Sequence, residues 1–126
     1  MIDYVGMLKE FHTKYNHHIE DRPQRHDTIP TDVMDLRDKL IEEEFQEFRE
    51  AETRVEIADS LADLLYVVFG TCISYGIPID EIFAEVHRSN MTKSMLKDEK
   101  SIKGKTLKGP NWEPPQIAKI LEEHSK

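Results

Sequence analysis

The 126-residue chain is poor in several things, and each shortage narrows its chemistry. It has one cysteine, Cys72, so no internal disulfide can form, and the lone thiol in an apolar run suggests a reducing, cytoplasmic setting. It has no long apolar block. The longest uncharged run, 64–79, is broken by Gly70, Gly76 and Pro78 and is too short for a membrane span. The N-terminal MIDYVGMLKE lacks the basic and apolar regions of a secretory signal. Basic charge is short as well: 17 Lys and Arg face 25 Asp and Glu, a net charge of −8, which argues against a nucleic-acid partner. Almost no segment alternates with period two, which argues against strands. No glutamate is followed three places later by histidine, the pattern that a di-iron helical bundle requires.

Helical periodicity is what the sequence does have. A first helix is expected over 2–16, where Tyr4, Val5, Leu8, Phe11 and Tyr15 recur at helical spacing. The polar, proline-interrupted NHHIEDRPQRHDTIPT reads as a loop. Thr31 or Asp32 is expected to cap a second helix that runs to about Glu52, and a third runs from about Arg54 to Tyr75, ended by Gly-Ile-Pro. Asp80 and Glu81 suit the first turn of a fourth, continuing to about Leu96. The tail from about residue 97 is irregular, with a short last helix over 115–124. Short connections between these helices imply an all-α fold, a four-to-five-helix antiparallel bundle forming one domain over 1–126. The third helix is apolar nearly all round, more than one small bundle hides, so a homodimer or a dimer of dimers is expected.

Asp63 is the anomaly. It is the only charge between Ser60 and Tyr75, on a helix otherwise suited to a core. At about 100° per residue, Asp59 and Glu56 share its edge of the third helix, while Glu44 lies inside the apolar arc of the second helix, Glu47 at its edge and Glu43 just beyond. Antiparallel packing would bring these acidic edges together. Crowded carboxylates raise one another's pKa, and a hard divalent cation with oxygen ligands relieves them. Mg²⁺ fits, with Mn²⁺ as an alternative, because no thiolate or imidazole is offered. A core Asp63 bonded to a helix N-terminus, Arg49 or Arg54 is the competing explanation. On the fourth helix the apolar stripe of Ile79, Ile82, Phe83 and Val86 turns polar at Asn90 and Lys93. Residues 87–109 carry a local balance of +5, leaving −13 for the remainder, so an acidic body carries a basic tail.

Glu43, Glu44 and Glu47 in the pattern EExxE, followed by DLLYVV after an acidic position, resemble the all-α nucleoside triphosphate pyrophosphohydrolases. That superfamily includes MazG-like proteins, dimeric dUTPases and phosphoribosyl-ATP pyrophosphohydrolase. YGIPIDEIFAEVHRSNMTKS and GKTLKGPNWEPP are similar to its later segments. The resemblance implies Mg²⁺-dependent cleavage between the α- and β-phosphates of a nucleotide, giving a monophosphate and pyrophosphate. It implies metal ligands at Glu44, Glu47, Asp59 and Asp63, with Glu56 as an alternative, and a water-activating role for Glu43 or Glu44. It also implies nucleotide contacts from Asn90 and Lys93, and base or sugar contacts from Phe11 and His12; Lys105 and Lys108 could close over phosphates. The family's second helix motif is Glu-x-x-Asp, and here Ser60 stands where its glutamate would be if Asp63 is its aspartate. Two further readings stay open: phosphoribosyl-ATP pyrophosphohydrolase itself, and a non-catalytic helical interaction or regulatory protein.

Overall fold

The computed structural model describes residues 1–94, 97–98 and 105–126. The fold is all-α, with five α-helices among the described residues: α1 (Tyr4–Lys14), α2 (Thr31–Glu50), α3 (Arg54–Tyr75), α4 (Ile79–Asn90) and α5 (Ile117–His124). Two compact units divide the chain. One is Met1–Pro78 with Ser125; the other is Ile79–His124 with Lys126.

In the first unit, α2 and α1 both pack on α3. The ends of these helices are fixed locally. Asp3 caps α1 by accepting the Gly6 amide at 2.9 Å. Thr53 and Glu56 form a reciprocal capping box that starts α3 only three residues after α2 ends. Gly76 closes α3 in the left-handed region, at φ 70°. The loop after α1 lies along that end: the Glu20 and Gln24 amides donate to the carbonyls of Ile73 and Tyr75. A Cβ at residue 76 would collide with the backbone carbonyl of Arg22, so glycine is required there by conformation and by space. The expected bounds of α3 are those observed, whereas the cap of α2 is not Thr31 or Asp32. Those two are its first helical residues, and Pro30 is the N-cap, without a side-chain cap bond. The Pro30 carbonyl instead takes the Val33 and Met34 amides.

In the second unit, α4 contacts α5. Helix α4 stops at Asn90, short of the expected Leu96, which itself lies outside the described residues. The reason is local and non-local bonding together. Thr92 donates its hydroxyl and its amide to the Ser89 carbonyl, and the Ser94 amide is taken by Leu107. Arg88 clamps the tail to α4 by donating to Glu85 at 2.7 Å and Glu113 at 2.8 Å. A two-residue antiparallel ladder, β1 (Lys97–Asp98) with β2 (Lys105–Thr106), is the one exception to the strand-free expectation among the described residues. Phe83, placed on the buried stripe by periodicity, is 69% exposed. Ser89 is buried instead, donating its hydroxyl to the Glu113 carbonyl at 2.6 Å.

Gly76→Ala should lower stability by roughly 1–3 kcal/mol, the cost of a side chain held in the left-handed region. Denaturant melts of the two proteins measure it, and an unchanged midpoint would contradict this account of how α3 ends.

Candidate active site

The α2–α3 hairpin brings Glu44, Glu47 and Asp63 together, each offering a carboxylate oxygen within 4.8 Å of the others. Glu44 and Glu47 are one turn apart on α2, and Asp63 meets them from the middle of α3. Glu44 and Asp63 are partly buried and Glu47 is exposed. The Glu44 Oε2 atom is buried with no hydrogen-bond partner. Burial, then a hydrogen bond with Glu47, then the charges of Glu47, Asp63 and Glu43 push the Glu44 pKa up to about 7. Burial, then Asp59 and Glu47, raise Asp63. Among the described residues no cation is paired with Asp63, so the competing pairing with Arg49 or Arg54 is not what the structure shows. An all-oxygen donor set with one buried, unpartnered oxygen fits a hard divalent cation.

Asp59, Glu56, Ser60 and Glu43 lie on the same hairpin. Asp59 is exposed, one turn before Asp63, and outside the set of three. It lines a cleft of about 260 Å³ with Glu47, Glu50, Glu56 and Ser60. Glu56 is engaged in the capping box, accepting the Thr53 amide at 3.3 Å. Ser60 is buried and turns its hydroxyl back to the Ile57 carbonyl at 3.1 Å, so it offers nothing to a ligand. Glu43 is exposed beside the group. Phe11 packs among aromatic rings, 4.8 Å from Tyr15 and 5.3 Å from Tyr66 between centroids.

His12 is enclosed. It is 1% exposed, its Nδ1–H donates to the His18 carbonyl at 3.1 Å, and burial lowers its pKa. An imidazole enclosed beside the loop after α1 has the surroundings of a core group. In the second unit, Asn90 is exposed and Lys93 half-buried. Lys105 is exposed on β2, and Lys108 places its ammonium 4.4 Å from the centre of the Trp112 ring. That cation–π contact is a competing use for the charge that phosphate closure would need.

Sequence reasoning passed over Arg37, which is buried on α2. The signal was present: seven residues before Glu44 is two helical turns, the same face of α2.

The family model for phosphoribosyl-ATP pyrophosphohydrolase matches residues 8–90, about two thirds of the chain and all of the α2–α3 hairpin. The chain belongs to the phosphoribosyl-ATP pyrophosphohydrolase family. It is therefore a pyrophosphohydrolase, a hydrolase of phosphoric anhydrides, and the reading as a non-catalytic interaction protein falls. No curated protein matches the chain.

The raised Glu44 pKa gives metal-free protein a defined pH response. Folding favours its protonated form, so the stabilisation is complete below the ordinary glutamate pKa and is lost as pH rises through about 7. In EDTA, the parent should melt at lower denaturant at pH 8 than at pH 5.5. Glu44→Gln should flatten this slope, and a variant with the parental slope would show that another group sets it.

Proposed function

We propose that the chain hydrolyses the α–β phosphoric anhydride of a phosphoribosyl-ATP-type nucleotide, releasing pyrophosphate, with Mg²⁺ held by Glu44, Glu47 and Asp63. The family match supports a phosphoribosyl-ATP-type substrate over nucleoside triphosphates in general, the broader class that the sequence first suggested. The observation that carries the metal assignment is the group of three carboxylates around a buried, unpartnered glutamate oxygen. A bound divalent cation would neutralise phosphate charge and polarise the phosphoryl oxygens. The chain's own part is then to bind and to accept a proton. Glu44 and Glu47 share one helix face, so a carboxylate oxygen not used by metal can orient water and take its proton. Glu43, exposed at the rim, is the alternative for that step. For Asp59, one turn before Asp63, a role in the set has its charge coupling to Asp63 as its support. For Asn90 and Lys93, a role in nucleotide contact has the resemblance as its support.

The proposal includes self-association in the cytoplasm, as a homodimer or a dimer of dimers. The support is apolar exposure on the hairpin: Val55 is 77% exposed, and Phe45, Leu61 and Leu65 are exposed as well. Helix α3 is long and apolar enough to cross a membrane by length and composition. The soluble character of the family and the carboxylate at its middle favour a protein partner for that face instead.

Asp63→Asn keeps shape and removes charge. It should fold, be at least as stable as the parent in EDTA, lose stabilisation by millimolar Mg²⁺ and lose nearly all pyrophosphate release. If Asp63 were instead a paired core carboxylate, the same change would cost about 3–5 kcal/mol in EDTA. Denaturant melts with and without Mg²⁺, beside pyrophosphate assays on phosphoribosyl-ATP and a nucleoside triphosphate panel, separate the two. Parental activity in the variant would remove Asp63 from the site. Sedimentation of the parent at micromolar concentration should show a dimer or larger, and a stable monomer would leave the exposed α3 face unexplained.

A further inference from the structure

Two turns of α2 before Glu44, Arg37 is 5% exposed. Its Nε donates to Thr71 Oγ1 at 3.1 Å and its Nη2 to the Val67 carbonyl at 2.9 Å. Both acceptors are neutral. Among the described residues no carboxylate is paired with this guanidinium, and burial lowers its pKa. A buried cation without a counter-ion is as anomalous as a buried carboxylate without a cation. Gly70 makes the arrangement sterically possible: a Cβ there would lie 2.6 Å from Arg37 Nη2 and 3.0 Å from His12 Nε2.

Arg37 also lines a cavity of about 500 Å³, a size suited to part of a small ligand, with Asn16, His17, His18, Ser74 and Asp32 around it. His18 Nε2 is buried without a hydrogen-bond partner, although the Glu20 carboxylate is 3.5 Å away. Asp32, the one carboxylate in the lining, is exposed. Helix α2 starts beside this cavity with no side-chain cap, so the partial positive charge of a 20-residue helix adds to that of Arg37.

We propose that this cavity is an anion subsite that takes a phosphate monoester of the bound nucleotide, the one remote from the hydrolysed bond. The identity of the molecule carrying that phosphate rests on the proposed function; the subsite itself does not. Arg37 and Glu44 are seven residues apart, about 10 Å along α2. A phosphoribosyl-ATP-type nucleotide carries a triphosphate at one end and a separate phosphate at the other, with two riboses and a base between them. One molecule can therefore set its triphosphate at the carboxylates and its second phosphate against Arg37, His17 and His18. An ordinary nucleoside triphosphate has no group to place there, so the cavity discriminates between the two classes.

The test starts with inorganic phosphate titrated into the full chain in EDTA, where the metal-free carboxylates repel the anion. Saturable NMR shifts of the His17 and His18 rings and the Arg37 Nε–H are expected. His17→Ala and Arg37→Lys should each weaken this binding about ten-fold, the loss of one charge-assisted hydrogen bond. Both should lower the ratio of kcat/KM for phosphoribosyl-ATP to that for ATP by a similar factor. His17 is half-buried, so its variant serves if Arg37→Lys does not fold. No saturable shift, or shifts unaltered in His17→Ala, would overturn the subsite. Phosphate binding with an unchanged kcat/KM ratio would overturn its assignment to the nucleotide. Phosphate binding in a protein that hydrolyses neither nucleotide would support the subsite and refute the proposed function.

Discussion

A repulsion sets the terms for the first unit. Three carboxylates whose oxygens lie within 4.8 Å of one another, when all are ionised, oppose the packing of α2 on α3. Each such pair costs on the order of 1–4 kcal/mol, depending on how much water reaches it. The hairpin withstands this because its geometry is fixed elsewhere. Residues 51–53 make a connection too short to let the helices drift, the Thr53–Glu56 box fixes where α3 begins, and Gly76 fixes where it ends. The rise of the Glu44 pKa to about 7 is the residual stress of that arrangement, relieved by a proton or by a cation. A carboxylate cluster built this way is in place without any ligand.

The carboxylates were legible in the sequence because helical angle is a local property. EExxE places Glu44 and Glu47 on the apolar side of α2 without knowledge of the fold, and the isolation of Asp63 marks its partner. The bounds of α3 were legible for the same reason, since Thr53 and Gly76 act within a few residues of themselves. What the sequence concealed depends on distant contacts. His12 lies on a helix facing a loop whose path is set by bonds to Ile73 and Tyr75, so its burial cannot be read from α1 alone. The early end of α4 needs Leu107 to take the Ser94 amide, thirteen residues away in the chain. Arg37 is the instructive omission. Its spacing to Glu44 was visible, but a cation on an apolar face reads as a misfit until Thr71, Val67 and Gly70 are seen around it.

Ser60 shows how the local rules limit the ligand set. A glutamate at that position would enter from a buried point on α3. The serine found there is enclosed and bonded to its own helix. Asp59 restores a carboxylate, but one residue is about 100° of helix, which carries it out to the exposed edge. Three carboxylates are a small set for a hard divalent cation, and a cation held there would have positions left for water and phosphate oxygens. On the proposed reading, the affinity for metal and the affinity for nucleotide are therefore linked. The same helix carries the opposite arrangement two turns away, where Arg37 has neutral partners and no paired carboxylate among the described residues. Each end of the α2–α3 face is missing the charge that the other supplies in excess, yet about 10 Å of helix keeps them from neutralising each other directly. On the proposed reading, a ligand with a phosphate at each end would answer both, one phosphate at the carboxylates with a divalent cation and the other at the guanidinium. On that reading, the two clusters together constrain the substrate class more tightly than either alone.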